Sequence, residues 1–293
     1  MEIKLCNFWY FFWVVLSIGS VIGLYFLLRH KSEKTKKWTL FILLVVGVIM
    51  HFTKFLYPPY STDTSRWLRD SWFNNICGAN IFLFPFIFLS KDTKAKDYMF
   101  YIGLLGGLGA VLYPLEPLQK ANQSAEWIDI VRFYIHHTML WGVPLVMVMT
   151  KLHTLSYKRI LWCPVYFLGV CGFIVLNQWI QSELGFTDLR SNDFLDVNFK
   201  NSSLIYGPSK GFEFLGALCP DFFKIVPFGS YAGQEKYWPI FWLIVPLFVI
   251  LVPLTFLICI IFDYRNFSND CKNLFQKLKK KEIKGDDLEE NQL

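Results

Sequence analysis

The sequence predicts an all-α, polytopic membrane bundle of seven transmembrane helices, with its N-terminus outside and its C-terminus inside. Three observations predict it. First, 54% of the 293 residues are hydrophobic, 30 of them Phe, and only 18% are charged, against about 25% in an ordinary soluble domain. Second, the apolar residues gather in runs close to the roughly 20 residues that an α-helix needs to cross the hydrocarbon layer. Third, the cations concentrate in alternate connections, as the positive-inside rule requires.

The first run, Phe8–Leu28, follows Asn7 without a basic n-region or a small-residue cleavage site, so it reads as a span and not as a cleaved signal. The next six are Trp38–Tyr57, Trp72–Leu89, Tyr98–Leu115, Ile128–Met149, Ile160–Ile180 and Trp238–Phe262. Helices satisfy their backbone internally, which lipid demands, and they tolerate Pro85, Pro144, Pro246 and Pro253 as local kinks. Orientation follows from the loops. Lys31, Lys34, Lys36 and Lys37, then Lys91, Lys94 and Lys96, then Lys151, Lys158 and Arg159, and finally the Lys-rich tail all fall on one side. The opposite short connections hold Arg66 and Arg69, or Lys120 alone. Trp9, Trp67, Trp127 and Trp179 mark the outer boundary, and Trp38 and Trp162 the inner one.

Residues 1–262 therefore form the transmembrane domain, and 263–293 a basic, then acidic, cytoplasmic tail that is expected to be disordered. The long outer loop 181–237 either packs over the mouth of the bundle or re-enters as a hairpin. The run G-L-L-G-G-L-G at Gly103–Gly109 predicts a close helix contact. No internal repeat is visible, which argues against an inverted-repeat transporter.

Several function classes drop out. The net charge of +6 resides largely in loops and tail, so it orients the chain and does not mark a nucleic-acid surface. The 7 cysteines form no C-x-x-C pair and no zinc spacing, so no metal is expected. Cys163, Cys171 and Cys259 lie in apolar runs as small hydrophobes, and only Cys6 and Cys219 are placed to consider a disulfide. No Gly-rich phosphate loop, G-x-S-x-G or H-E-x-x-H stands in a suitable context, and no cofactor is expected.

Polar groups in a span are expensive and face the bundle interior or a wet cavity. Here they share one depth. His51 and Lys54 close the second span, and N-N-I-C-G-A-N opens the third with Asn74, Asn75, Cys77 and Asn80. Glu116 ends the fourth, Asp129, Arg132, His136 and His137 open the fifth, and Asn177, Gln178 and Gln181 close the sixth. All lie at the outer end. Asp129, Arg132 and His136 share one helical face by their spacing of three and four, while His137 is turned by about 100° from His136. Taken singly, the Asn and Gln residues read as helix-to-helix bridges, Lys54 and Arg132 as snorkelling cations, and Cys77 as a structural thiol. Taken together they predict a polar pocket that opens outward.

A Cys and a His form a nucleophile and base, so Cys77 and His136 are the catalytic candidates. Arg132 and the amides of Asn74 and Asn80 would hold an anionic head group or an oxyanion, with His51, His137, Asn177 and Gln178 in support. At a lipid boundary the natural substrate is an acyl ester. The competing readings are a non-enzymatic transport or binding protein that uses the same pocket for a lipid or small molecule, and a structural partner in a larger or homo-oligomeric complex.

The seven-span layout, the Cys77 segment opening the third span, the small-residue fourth span ending near Pro114, and R-F-Y-I-H-H in the fifth together resemble the bacterial YwaF-type integral membrane family. That family is similar to a eukaryotic group of transmembrane lipid acyltransferases. The Y-W-P-I-F-W run at Tyr237–Trp242 resembles the start of its last span, so the resemblance covers most of the membrane region. It implies a seven-helix protein of the cell membrane that acts on membrane lipids. In it Cys77 would accept the acyl group, with His136, or else His137, as its partner. Members of that family often carry a His close to this Cys, whereas Asn75 and Gly78 occupy the neighbouring positions here.

Overall fold

Side-chain caps set the helix starts of the computed structural model. Asn7 accepts from the Tyr10 amide ahead of α1 (Phe8–Leu28), and Ser32 from Thr35 ahead of α2 (Glu33–Phe52). Asn75 accepts from Gly78 ahead of α3 (Ile76–Leu89), and Asp92 from Lys94 and Ala95 ahead of α4 (Thr93–Ile102). Each satisfies donors that the first turn leaves without intrahelical partners. A 3-10 turn, Thr53–Leu56, extends α2. A π-helical turn, Gly103–Leu108, leads from α4 to α5 (Gly109–Leu112), and α6 (Leu115–Gln119) follows. The remaining helices are α7 (Trp127–Met149), α8 (Trp162–Glu183), the short α9 (Phe214–Ala217) and α10 (Ile244–Glu290), whose backbone breaks at Asp263. The structure describes residues 2–63, 67, 70–120, 122–185, 203–209, 211–226 and 232–290. Arg66, Arg69 and the stretch 186–202 of the outer loop lie outside them.

The described residues are helical apart from turns, loops and one isolated bridge between Ile225 and Glu235. Among the described residues, five helical segments are long and apolar enough to cross a membrane: Phe8–Leu28, Glu33–Leu56, Thr93–Gln119, Trp162–Glu183 and Phe241–Lys277. Two more helices coincide with expected spans without meeting that description. At 14 residues α3 is apolar but short. By contrast α7 has the length, at 23 residues, but carries Asp129, Arg132, His136 and His137. Phe11, Val15, Ile22 and Phe26 lie exposed along one face of α1, as do Leu257 and Ile261 on α10. An apolar face of this extent is lipid-facing in a membrane helix.

The centre belongs to α7, which packs against α1, α2, α3, α4 and the π-helical turn. The glycine run makes this possible. A Cβ on Gly103 would stand 2.3 Å from the Leu140 carbonyl oxygen, and one on Gly107 2.9 Å from that of His137. The expected close helix contact is therefore made, and its partner is α7. Away from the polar end, Asp97 ties elements together: it accepts from His153 at 2.7 Å and from Arg159 at 2.6 and 3.1 Å. All cysteines among the described residues are free, with Cys6 exposed and Cys219 buried, so the disulfide considered for that pair is not formed.

Candidate functional site

Antiparallel packing brings the end of α2, the starts of α3 and α7 and the end of α8 to one end of the bundle. Cys77 is the second residue of α3, and its side chain is half-buried. Of the first-turn amides, Ile76 donates to Ser203 Oγ at 2.9 Å and Gly78 to Asn75 Oδ1 at 2.7 Å. The Cys77 N–H has no acceptor among the described residues. An open amide at a helix N-terminus suits an anion or an oxyanion.

A histidine from another helix meets the first turn of α3, and it is one that the sequence set among the supporting residues. His51, buried at the end of α2, lays its ring on Gly78. A Cβ there would lie 3.2 Å from His51 Cε1 and 3.7 Å from Nε2. The shorter spacing is tighter than ordinary contact at 3.4 Å, so the seat favours glycine, and this is the signal for the contact. Phe73 covers the ring, with centroids 6.4 Å apart and planes at 14°. The backbone of Ser71 and Trp72 lies beside His51, but neither ring nitrogen reaches hydrogen-bond geometry. His136 is equally buried, with its ring centroid 5.8 Å from that of His51 and its Nε2 without a hydrogen bond among the described residues.

The two adjacent histidines of α7 separate cleanly. His137 Nδ1 bonds the Phe133 carbonyl at 2.8 Å, and its ring packs on Phe133 at 4.1 Å. It is committed to its own helix, whereas His136 faces His51.

The charges form a network beside the imidazoles. Arg132 Nε donates to Asp129 at 2.7 Å, and its guanidinium lies 3.5 Å from Glu116. Lys120 meets Asp129 at 2.7 Å and Glu126 at 2.5 Å. Lys120 lies outside the helices and is held above the ordinary lysine range: burial pushes its ammonium down, and the carboxylates of Asp129 and Glu126 outweigh that push. Lys54 does not snorkel outward. It is buried, donates to the Asp70 carbonyl at 2.7 Å and stands over the Tyr60 ring. Arg132 is likewise turned into the protein.

The amides take bridging roles. Asn80 accepts from Tyr98 OH at 2.8 Å, Asn177 donates to Asn74 at 3.2 Å, and Gln178 accepts from Tyr206 OH at 2.5 Å. Through Ser203 and Tyr206 the described end of the outer loop is fastened over this end of the bundle, and Trp242 Nε1 holds it from the other side through Leu204 O at 2.8 Å. An apolar cavity of about 340 Å³ between α1, α2 and α7 is lined by Trp13, Leu24, Leu43, Tyr134 and Met139 among others, and includes neither Cys77 nor the imidazoles. No group of three or more metal-ligating side chains exists among the described residues.

Lipid-facing helices around a buried polar end define an integral membrane protein of the polytopic helical class. More particularly, the chain belongs to the TMEM164 family, a membrane protein family whose profile matches residues 5–251. No curated protein and no solved structure matches it.

Proposed function

We propose that the chain is a membrane-embedded acyl-transfer enzyme of the YwaF-like type, working through a thioester on Cys77. The observation that carries this reading is the pair of facing buried imidazoles, His51 and His136: among the described residues both nitrogens of His51 and Nε2 of His136 are uncommitted, and His51 is seated against Gly78 in the first turn of α3. Leaving a buried polar atom unpaired costs roughly 1–3 kcal/mol, so such a pair is retained where a substrate or a proton uses it.

In this reading a neutral imidazole takes the Cys77 proton and the thiolate attacks the carbonyl of a lipid acyl ester. The Cys77 N–H meets the resulting oxyanion. Collapse breaks the ester C–O bond, and the imidazolium returns its proton to the departing alcohol. The acyl group now sits on sulfur. A hydroxyl acceptor, or water for hydrolysis, gives its proton to the same imidazole and attacks the thioester, and the thiol leaves reprotonated. Each proton removed is returned, and no oxidant or cofactor enters. His136 is the base, and His51 shares the proton with it. All seven apolar helices, α3 and α7 included, cross the cell membrane in this reading, with the N-terminus and the Cys77 end outside and the tail from 263 inside.

The test is labelling of the purified protein with an activated acyl-thioester analogue, followed by mass spectrometry of the Cys77 peptide. A hydroxylamine-sensitive adduct on Cys77, lost in Cys77→Ala and slowed at least tenfold in His136→Ala and in His51→Ala, is the expected result. Equal labelling of Cys77 in wild type and in both His variants overturns the enzyme reading and leaves a binding or transport pocket at the same place.

A further inference from the structure

The opposite end of the bundle, reached at Phe88 roughly 16 Å along α3 from Cys77, holds a second cavity of about 450 Å³. Lys34 and Lys37 enter it from the first turns of α2, and Lys96 from the first turns of α4. Phe88 at the end of α3, Met147 in the last turn of α7 and Leu152 just beyond it give it an apolar side. Trp38 and Glu33 complete the lining.

The three ammonium groups are uncommitted. Among the described residues none of Lys34, Lys37 and Lys96 makes an ion pair or donates a side-chain hydrogen bond. Their neighbours do otherwise: Lys36 reaches the Thr150 carbonyl at 3.4 Å, and Lys94 stands 3.7 Å from the centre of the Trp162 ring. Lys96 and Lys37 are close enough to repel each other. Three cations against the single carboxylate Glu33 leave the cavity formally positive, and like charges held together across a cavity are relieved by an anion. The anion must also suit an apolar wall at the boundary of a membrane bundle, marked by an exposed Trp. A glycerophospholipid with an anionic head group meets both demands: its phosphate takes the lysines, and its glycerol and upper acyl carbons take Phe88, Met147 and Leu152. Basic pockets between helices at this depth bind such head groups.

We infer that this cavity is a binding site for the phosphate of an anionic glycerophospholipid, separate from the Cys77 site. Positive-inside composition alone would place lysines here without a site, so the test compares lysines inside and outside the cavity. The full chain in neutral micelles is titrated with phosphatidylglycerol, phosphatidylcholine and inorganic phosphate, and bound species are counted by native mass spectrometry. Phosphatidylglycerol is expected to bind at least tenfold more tightly than phosphatidylcholine. Lys34→Gln/Lys37→Gln/Lys96→Gln should weaken it at least tenfold, and the equally charged-down control Lys31→Gln/Lys91→Gln/Lys151→Gln less than threefold. Glu33→Gln removes the one opposing charge and should tighten binding severalfold, which keeps the test alive if the triple variant does not fold. Equal loss in both triple variants, equal affinity for the two lipids, an unchanged Glu33→Gln protein, or displacement of the lipid by inorganic phosphate at comparable concentration each overturns the inference.

Discussion

Replacing Gly103 by Ala should push α4 and α7 apart, and the structure sets how far. The added Cβ falls 2.3 Å from the Leu140 carbonyl oxygen and 3.1 Å from Pro144 Cγ, whereas ordinary contact begins at 3.4 Å. The obstacle is backbone of the neighbouring helix, so no rotamer change relieves it; the helices must separate by roughly an ångström. Overpacking of this kind costs about 1–3 kcal/mol. The same run carries its own controls. A Cβ on Gly106 or Gly109 meets nothing within 4 Å, and there Ala should gain up to about 1 kcal/mol from helix propensity alone. Gly103→Ala should therefore fall about 2–4 kcal/mol below Gly106→Ala, or roughly 5–15 °C in Tm for a chain of this size. Gly107→Ala is intermediate, with its Cβ 2.9 Å from the His137 carbonyl oxygen and from the Trp141 amide. Thermal unfolding in one detergent, followed by tryptophan fluorescence, measures all four. If Gly103→Ala melts at or above Gly106→Ala, the close approach of α4 to α7 is wrong. Gly107→Ala carries a second readout, since it presses on the turn that presents His136. Displacements well under an ångström already impair aligned groups, so acyl labelling should slow by about tenfold or more.

The ion network around Arg132 and one helix bridge give three further outcomes. Asp129→Asn leaves buried Arg132 and Lys120 short of their shared carboxylate and should destabilise by about 3–5 kcal/mol, read as a lowered Tm. Asn80→Ala removes the acceptor of the Tyr98 hydroxyl and should lower stability by only about 0.6–1.7 kcal/mol, the range for polar bridges within membranes. Lys120 is held above its ordinary range in the folded chain, so its contribution is whole below about pH 10.4 and fades as pH rises through the higher folded value. The Tm difference between wild type and Lys120→Gln should thus be constant from about pH 7 to 9.5 and shrink only above that; a difference that vanishes near neutral pH contradicts the pairing.

Helix positions were legible because an apolar run of span length has few other destinations. The sequence boundaries Phe8–Leu28 and Ile128–Met149 differ from α1 and α7 by at most one residue at either end. The close packing of Gly103–Gly109 was legible for a similar reason, because small residues on a membrane helix are there to admit a neighbour. Partnership was not. Lys54 read as a snorkelling cation because nothing in its own helix shows that the Asp70 carbonyl awaits it, whereas Arg132 has Asp129 one turn away on its own helix and is also met by Glu116 from another segment. The role of Lys120 was hidden in the same way: a loop cation by position, it is drawn under by the carboxylates of Glu126, which precedes α7, and Asp129 in its first turn. His51, set by its depth among the supporting residues, meets the first turn of α3 from across the bundle against Gly78, a contact that the sequence shows only as a glycine.

That arrangement bears on the choice between an enzyme and a solute pocket. A site that reads a charged solute needs charge left over, and this end of the bundle has little. Arg132 is taken up by Asp129 and Glu116, Lys120 by Glu126 and Asp129, and Lys54 faces a carbonyl and a tyrosine ring. Asn80, Asn177 and Gln178 are spent on bridges. Among the described residues, His51, Nε2 of His136, the Tyr57 hydroxyl and Ser71 Oγ stay uncommitted, and His51 is walled by Phe73, which itself stacks on Phe82 at 4.5 Å. None of these carries a fixed charge with which to select an ion. In the proposed acyl-transfer reading, the imidazoles would move a proton and the ligand would be an uncharged ester carbonyl. His51→Gln then separates the readings: it keeps a polar side chain at the Gly78 seat but cannot exchange a proton at neutral pH, so binding of a lipid ester should persist within about threefold while thioester formation falls by the 10²–10⁴ typical of a lost acid–base group. Parallel loss of both would mean that His51 only shapes the pocket.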